Sequence, residues 1–149
     1  MAAEHLNDEL HGYYLEDLKV GMTAAYAKTV TETDIVLFAG ISGDINPVHL
    51  NHEFAATTAF AEPIAHGMLT ASFISTVLGT KLPGPGCIYL KQSLAFRAPV
   101  KARDTVLARC TVSAIDEARQ TVTLDCKCFV GEKVVLTGEA LMKVSRRPA

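Results

Sequence analysis

Residues 67–79, GMLTASFISTVLG, carry no charge, and almost every one is apolar or small. A helix that is apolar nearly all round has to be buried on most of its sides. The rest of the chain must therefore wrap around it. After a break at Pro83-Gly84-Pro85-Gly86, four segments read as strands, near Cys87–Phe96, Asp104–Ile115, Thr121–Val130 and Val134–Val144. Turn signals at Asp116–Gln120 and Gly131-Glu132-Lys133 separate the last three. The expected fold class is α+β: a strand meander forming a curled antiparallel sheet around one central buried helix.

Upstream of that helix, residues 1–12 read as a loose leader and Tyr13–Gly21 as a short docking segment. Met22–Val30, with Thr, Val and Tyr, suits a strand. Thr33 can cap a helix running through Gly40, with Asp34 in its first turn, where the helix dipole favours negative charge. Ile35, Val36, Phe38 and Ala39 form its apolar side, and Gly40 and Gly43 end it. Asn51–Ala59 has room for a turn or two of helix before Pro63. The connection Gly40–His66 is long for so small a chain, and long ordered connections usually carry function. Residues 1–149 are read as one domain.

Composition narrows the function classes. The chain is 49% hydrophobic and 20% charged, as in ordinary globular proteins. A net charge of −2 gives no basis for general nucleic-acid binding. No run reaches the ~18 apolar residues of a membrane helix, and MAAEHLNDEL lacks the apolar centre of a secretion signal. No membrane association and a cytoplasmic location are expected. Cys87, Cys110, Cys126 and Cys128 lack metal-site or C-x-x-C spacing, and are read as buried free thiols in a reducing compartment. No dinucleotide loop or G-x-S-x-G elbow is present. His49 and His52 have H-x-x-H spacing, with His66 further on, but no cysteine or closely spaced carboxylate completes a tetrahedral set, so no metal is expected.

The long connection contains FAGISGDINPVHLNHEFA at Phe38–Ala55, where Asp44, Asn46 and His49 crowd around Pro47 within six residues. An acid, an amide and an imidazole this close can hold one water and move its proton. Taken singly, each has a plainer use: Asp44 and Asn46 in turns, His49 as a packed or solvent-facing ring. A second cluster is His66-Gly67-Met68 at the start of the buried helix. The first N–H groups of a helix lack internal partners and carry partial positive charge, and glycine lets a ligand approach closely. The Gly67 N–H is thus a candidate oxyanion donor, with tight packing as the alternative, and His66 could orient this turn. Further along, Ser75 and Leu78 lie on one side of the helix, as do Ser72 and Ser75. Either serine could reach Asp44, and core packing is the alternative.

The run S-G-D-x-N-P-x-H at Ser42–His49, with the small Ala55 after five more residues, resembles the signature of R-specific enoyl-CoA hydratases, the hydratase-2 or MaoC-like branch of the hot-dog fold. The resemblance spans roughly Val20–Val144, including AFAEPIAHGMLTASFIS at Ala59–Ser75 and IYLKQSLAFRAPV at Ile88–Val100. It implies a hot-dog sheet with an overhanging loop that carries the catalytic motif. It also implies addition of water to trans-2-enoyl-CoA to give (R)-3-hydroxyacyl-CoA, linking fatty-acid β-oxidation to polyhydroxyalkanoate synthesis. Asp44 and His49 fall on the catalytic pair, with Asn46 beside them. Gly67 falls on the oxyanion hole, and Ser75 and Leu78 on the acyl pocket. Similar proteins are homodimers whose sheets join edge to edge, with each site near the subunit interface. One group can take a proton from water and return it to carbon, so no cofactor is needed; coenzyme A belongs to the acyl-CoA substrate. The rivals are a 3-hydroxyacyl-carrier-protein dehydratase of the same fold, a hot-dog thioesterase, which the motif does not support, and a non-catalytic acyl-CoA-binding protein, which a broken catalytic pair would favour. Lys81, Lys91, Arg97, Lys101 and Arg103 could serve a docking carrier or the coenzyme A phosphates.

Overall fold

The computed structural model describes residues 9–148. The first eight residues of the expected leader lie outside that range, but its end is tied down. The Gly12 N–H donates to the Pro85 carbonyl and the Tyr13 N–H to the Pro83 carbonyl, both at 2.8 Å. A single 3₁₀ turn at Leu15–Asp17 follows and buries Leu15 and Leu18, as a docking segment should.

Strand β1 (Thr23–Thr29) leads into helix α1 (Glu32–Ser42). This helix begins two residues earlier than the sequence suggests, because Thr31 and not Thr33 is its cap. The Asp34 N–H donates to Thr31 Oγ1 at 3.1 Å, and Asp34 Oδ2 accepts the Thr31 N–H at 2.8 Å, a reciprocal pair that satisfies two free donors. That same hydrogen bond holds the Asp34 carboxyl below its usual range, with help from Lys28. Gly40 does not end the helix, since one glycine inside a helix costs only about 1 kcal/mol. Gly43 ends it in the left-handed conformation, at φ 78°.

Two short helical turns follow, α2 (Pro47–Leu50) and α3 (His52–Ala56), rather than the one expected at Asn51–Ala59. Asn51 separates them by accepting the Phe54 N–H at 2.9 Å. Helix α4 (Gly67–Thr80) is the central helix. Strands β2 (Ile88–Phe96), β3 (Thr105–Asp116), β4 (Thr121–Val130) and β5 (Lys133–Lys143) complete a five-stranded sheet in the order β1-β3-β4-β5-β2, with every pairing antiparallel. The meander is confined to β3, β4 and β5, which tight turns connect. The link from β2 to β3 contains Pro99 and is too long for a hairpin, so β2 pairs with β5 at the far edge.

Alternate residues of the inner strands face α4. Val106, Ala108, Cys110 and Val112 of β3 and Val122, Leu124, Cys126 and Cys128 of β4 are at most 1% exposed. Against them lie Leu69, Phe73, Ile74, Val77 and Leu78 of α4. Full burial of such a large apolar side chain contributes roughly 1.5–3 kcal/mol. The four cysteines are free, three of them buried. Burial pushes the Cys128 thiol up to about 12, which marks it as a packing group rather than a nucleophile. Among the described residues, no helix is long and apolar enough to cross a membrane.

Candidate active site

The left-handed turn at Gly43 swings the chain off α1 and sets Asp44 at its outer end. The turn is locally braced. Ser42 Oγ accepts the Asp44 N–H at 3.1 Å, and Asp44 Oδ1 accepts the Asn46 N–H at 3.2 Å. Asn46 is the cap of α2: its Oδ1 accepts the Val48 N–H at 3.1 Å, and Pro47 fills the first helical position. Asn46 therefore shapes the loop. It is not among the residues that line the neighbouring cavity.

Pro47 starts the turn that carries His49 back toward Asp44. Nδ1 of His49 lies 2.7 Å from the Ile64 carbonyl. A carbonyl only accepts, so Nδ1 carries the hydrogen and Nε2 presents a lone pair. Nε2 lies 4.0 Å from Asp44 Oδ2, with the His49 side chain 9% exposed and that of Asp44 52%. That gap is too wide for a direct hydrogen bond and suits one water held by both groups.

His66 and Gly67 come to the same place from 22 residues further on. Gly67 is the first residue of α4, whose first turn holds no acidic side chain, so nothing local neutralises its positive end. The Gly67 N–H donates to no protein acceptor among the described residues. A cavity of about 690 Å³ opens here. Asp44, His66 and Gly67 lie on its wall, and Phe38, Phe60, Ile64 and Phe96 give it an apolar lining. A water activated at Asp44 and His49, an oxyanion received at Gly67 and an apolar chain laid along the cavity are chemically compatible.

Other expected residues are placed elsewhere. Leu78 is fully buried in the core, Ser75 is exposed, and neither lines this cavity. On a 3.6-residue turn, positions three apart are offset by about 60°, and the edge of the buried face runs between these two. Ser72 donates to the Leu69 carbonyl one turn back, and no hydrogen bond joins Ser72 or Ser75 to Asp44 among the described residues. Phe38, Phe60, Phe96 and Arg97 line the cavity although the sequence singled out none of the three aromatics as a site residue. The strand-ending run at Phe96–Pro99 was the signal for the last of these.

Donor atoms of Asp44, His49 and His66 lie within 4.8 Å of one another. Yet the two imidazoles stack face to face, with centroids 3.8 Å apart and planes 29° off parallel. Their in-plane lone pairs therefore lie in two nearly parallel planes, a poor starting arrangement for a tetrahedral centre.

Residues 18–129 match the family described as MaoC like domain. The chain is 53% identical over 140 residues to an (R)-specific enoyl-CoA hydratase of Rhodospirillum rubrum, covering 94% of this chain and 97% of the relative. It is 50% identical over 139 residues to a 3-hydroxybutyryl-CoA dehydratase of Methylorubrum extorquens, covering 93% and 88%. Among solved structures, the (R)-hydratase of Aeromonas caviae involved in PHA biosynthesis superposes with a TM-score of 0.84 at 45% identity, covering 87% and 98%.

Proposed function

We infer that this chain, which belongs to the MaoC like domain family, is an (R)-specific enoyl-CoA hydratase. It is a hydro-lyase that adds water across the double bond of trans-2-enoyl-CoA to give (R)-3-hydroxyacyl-CoA. The observation that carries this reading is the gap of 4.0 Å between Asp44 and His49, with Asp44 and the free Gly67 N–H on the wall of one apolar cavity and His49, outside that lining, stacked on the wall residue His66. In the proposed reaction Asp44 takes a proton from the water that His49 Nε2 also holds. The water oxygen bonds to C3, and charge gathers on the thioester oxygen at the Gly67 N–H. Asp44 then gives the proton it took from water to C2 of the enolate, which returns Asp44 to its carboxylate form and completes the addition. Atoms balance with no redox group or metal, so no cofactor enters the proposal.

Coenzyme A, rather than a carrier protein, is the proposed thiol. The two relatives above 50% or at 50% identity are named for enoyl-CoA and hydroxybutyryl-CoA. Of the five basic residues open to a carrier or to the coenzyme A phosphates, Arg97 lines the cavity, one cation that suits a phosphate better than a docking protein surface. Lys101 is paired with Glu62, and Lys81 donates to the Ala25 carbonyl. The involvement of the Aeromonas relative in PHA biosynthesis supports the same use of the product here, drawn from fatty-acid β-oxidation. A homodimer joined through β2 is part of the proposal. That strand is a sheet edge with Ile88, Leu90 and Phe96 more than half exposed, and open apolar edges favour pairing. The four free cysteines fit a reducing cytoplasm.

One preparation tests the reading. The purified chain should sediment as a dimer and hydrate crotonyl-CoA to the (R)-product. It should act far more slowly on a crotonyl carrier-protein thioester, and it should keep its activity through prolonged chelation and dialysis. A folded protein that leaves crotonyl-CoA untouched sinks the function, and activity restored only by a divalent ion sinks the cofactor-free scheme.

The acyl chain is proposed to run along α4, with Leu78, which is closed into the core and off the cavity wall about three turns beyond Gly67, as the floor that stops longer chains. Leu78→Ala should lower the melting temperature, since emptying a buried leucine site costs about 2–5 kcal/mol. It should also raise kcat/KM for eight-carbon relative to four-carbon enoyl-CoA. A pocket change of this size is worth roughly 1–3 kcal/mol in discrimination. A lower melting temperature with an unchanged length profile would assign Leu78 to the core alone.

A further inference from the structure

His66 sits where Ser, Thr, Asp or Asn is favoured, at the cap of the central helix, yet its side chain makes no capping hydrogen bond. It is 1% exposed. Its Nε2 lies 2.8 Å from the main-chain carbonyl of Asp44, and because a carbonyl only accepts, Nε2 carries the hydrogen. Nδ1 is then a bare lone pair, buried and without a partner among the described residues. An unpaired buried polar atom is costly, and neither apolar packing nor capping accounts for it. The remaining contacts of the ring point to the catalytic pair. One face stacks on His49 at 3.8 Å, and Phe38 tilts against the ring at 4.9 Å.

We propose that His66 is a positioning residue of the hydratase site, whose Nε2–H holds the Asp44 main chain so that the carboxylate keeps its distance from His49 and from the Gly67 N–H. The inference rests on the hydratase reading above. Around Asp44 itself the other bonds are short-range, to Ser42 and Asn46 and from the Ile45 N–H to the Gly43 carbonyl, while the bonds between α2 and Ile64 hold the loop further along, at Val48 and His49. The short-range bonds shape the turn but do not fix it against α4. Among the described residues, the His66 bond is the cross-link that ends on Asp44, and the residue after His66 is Gly67 itself. One side chain thereby sets the spacing between proton acceptor and oxyanion donor.

Two variants separate this role from packing. In His66→Gln the amide nitrogen takes the place of Nε2 and can still donate to the Asp44 carbonyl. In His66→Asn the amide is too short to reach it, while asparagine is a favoured cap that supports the start of α4. With wild type active on crotonyl-CoA, His66→Asn should lose kcat on the order of 10–100-fold, the scale of a small misplacement of reacting groups. Its KM and melting temperature should stay near wild type, and His66→Gln should recover most of the rate. His66→Asn with wild-type kcat overturns the proposal, and so does His66→Gln as slow as His66→Asn. A wild type inactive on crotonyl-CoA fails the hydratase reading instead.

Discussion

Asp44→Asn is expected to yield a folded protein whose kcat for crotonyl-CoA hydration is lower by about 10²–10⁴, the range for loss of a positioned acid or base. The change is isosteric, and its structural cost is small for reasons visible in the loop. The side-chain oxygen that accepts the Asn46 N–H is retained in an amide, and the bond from His66 goes to the main chain. What disappears is the group that takes the proton. His49→Gln should cost a comparable factor by removing the Nε2 lone pair, with a larger loss of stability, since His49 is nearly buried and stacked on His66. Either variant retaining kcat within tenfold of wild type, with an unaltered circular dichroism spectrum, would remove that residue from the chemistry.

Gly67→Pro should lower kcat by roughly 10²–10³, as for removal of one oxyanion donor. Proline is the substitution that deletes a backbone N–H, and this position tolerates it unusually well. Gly67 opens α4, where proline is favoured. The preceding His66 has ψ 136°, within the range that a following proline demands. A steric control is needed because any Cβ here meets the Phe96 ring at 2.7 Å. That ring is about half exposed and can swing aside. Gly67→Ala adds the same Cβ but keeps the N–H, and should lose only about tenfold by crowding the approach that glycine leaves open. Equal losses in the two variants would place the effect at Phe96 and take the oxyanion role from Gly67.

Much of the fold was legible in the sequence because its signals are local. An uncharged stretch such as Gly67–Gly79 has to be buried, and alternation along Thr121–Val130 reads directly as a half-buried strand. Boundaries slipped where two local signals competed. Thr33 looks like a cap until Asp34 is seen to reach back to Thr31. Asn51 reads as the start of a helix, and it is also the point that divides two. The motif was legible for the same reason: Asp44, Asn46 and His49 lie within one turn-rich run, so their proximity needed no tertiary information. That run by itself left Asn46 between structure and catalysis, and the cap on Val48 gives it the structural part.

The central helix, the strands and the proximity of Asp44 to His49 follow from local signals, because periodicity, turn chemistry and short chain separation act within a few residues. Packing of the whole chain selects which strand lies beside β5, turns Leu78 to the core and Ser75 outward, and brings His66 back 22 residues to the Asp44 carbonyl. Those outcomes depend on where a chain crosses a sheet and on the direction of a side chain at a packing boundary, and no local pattern encodes either one.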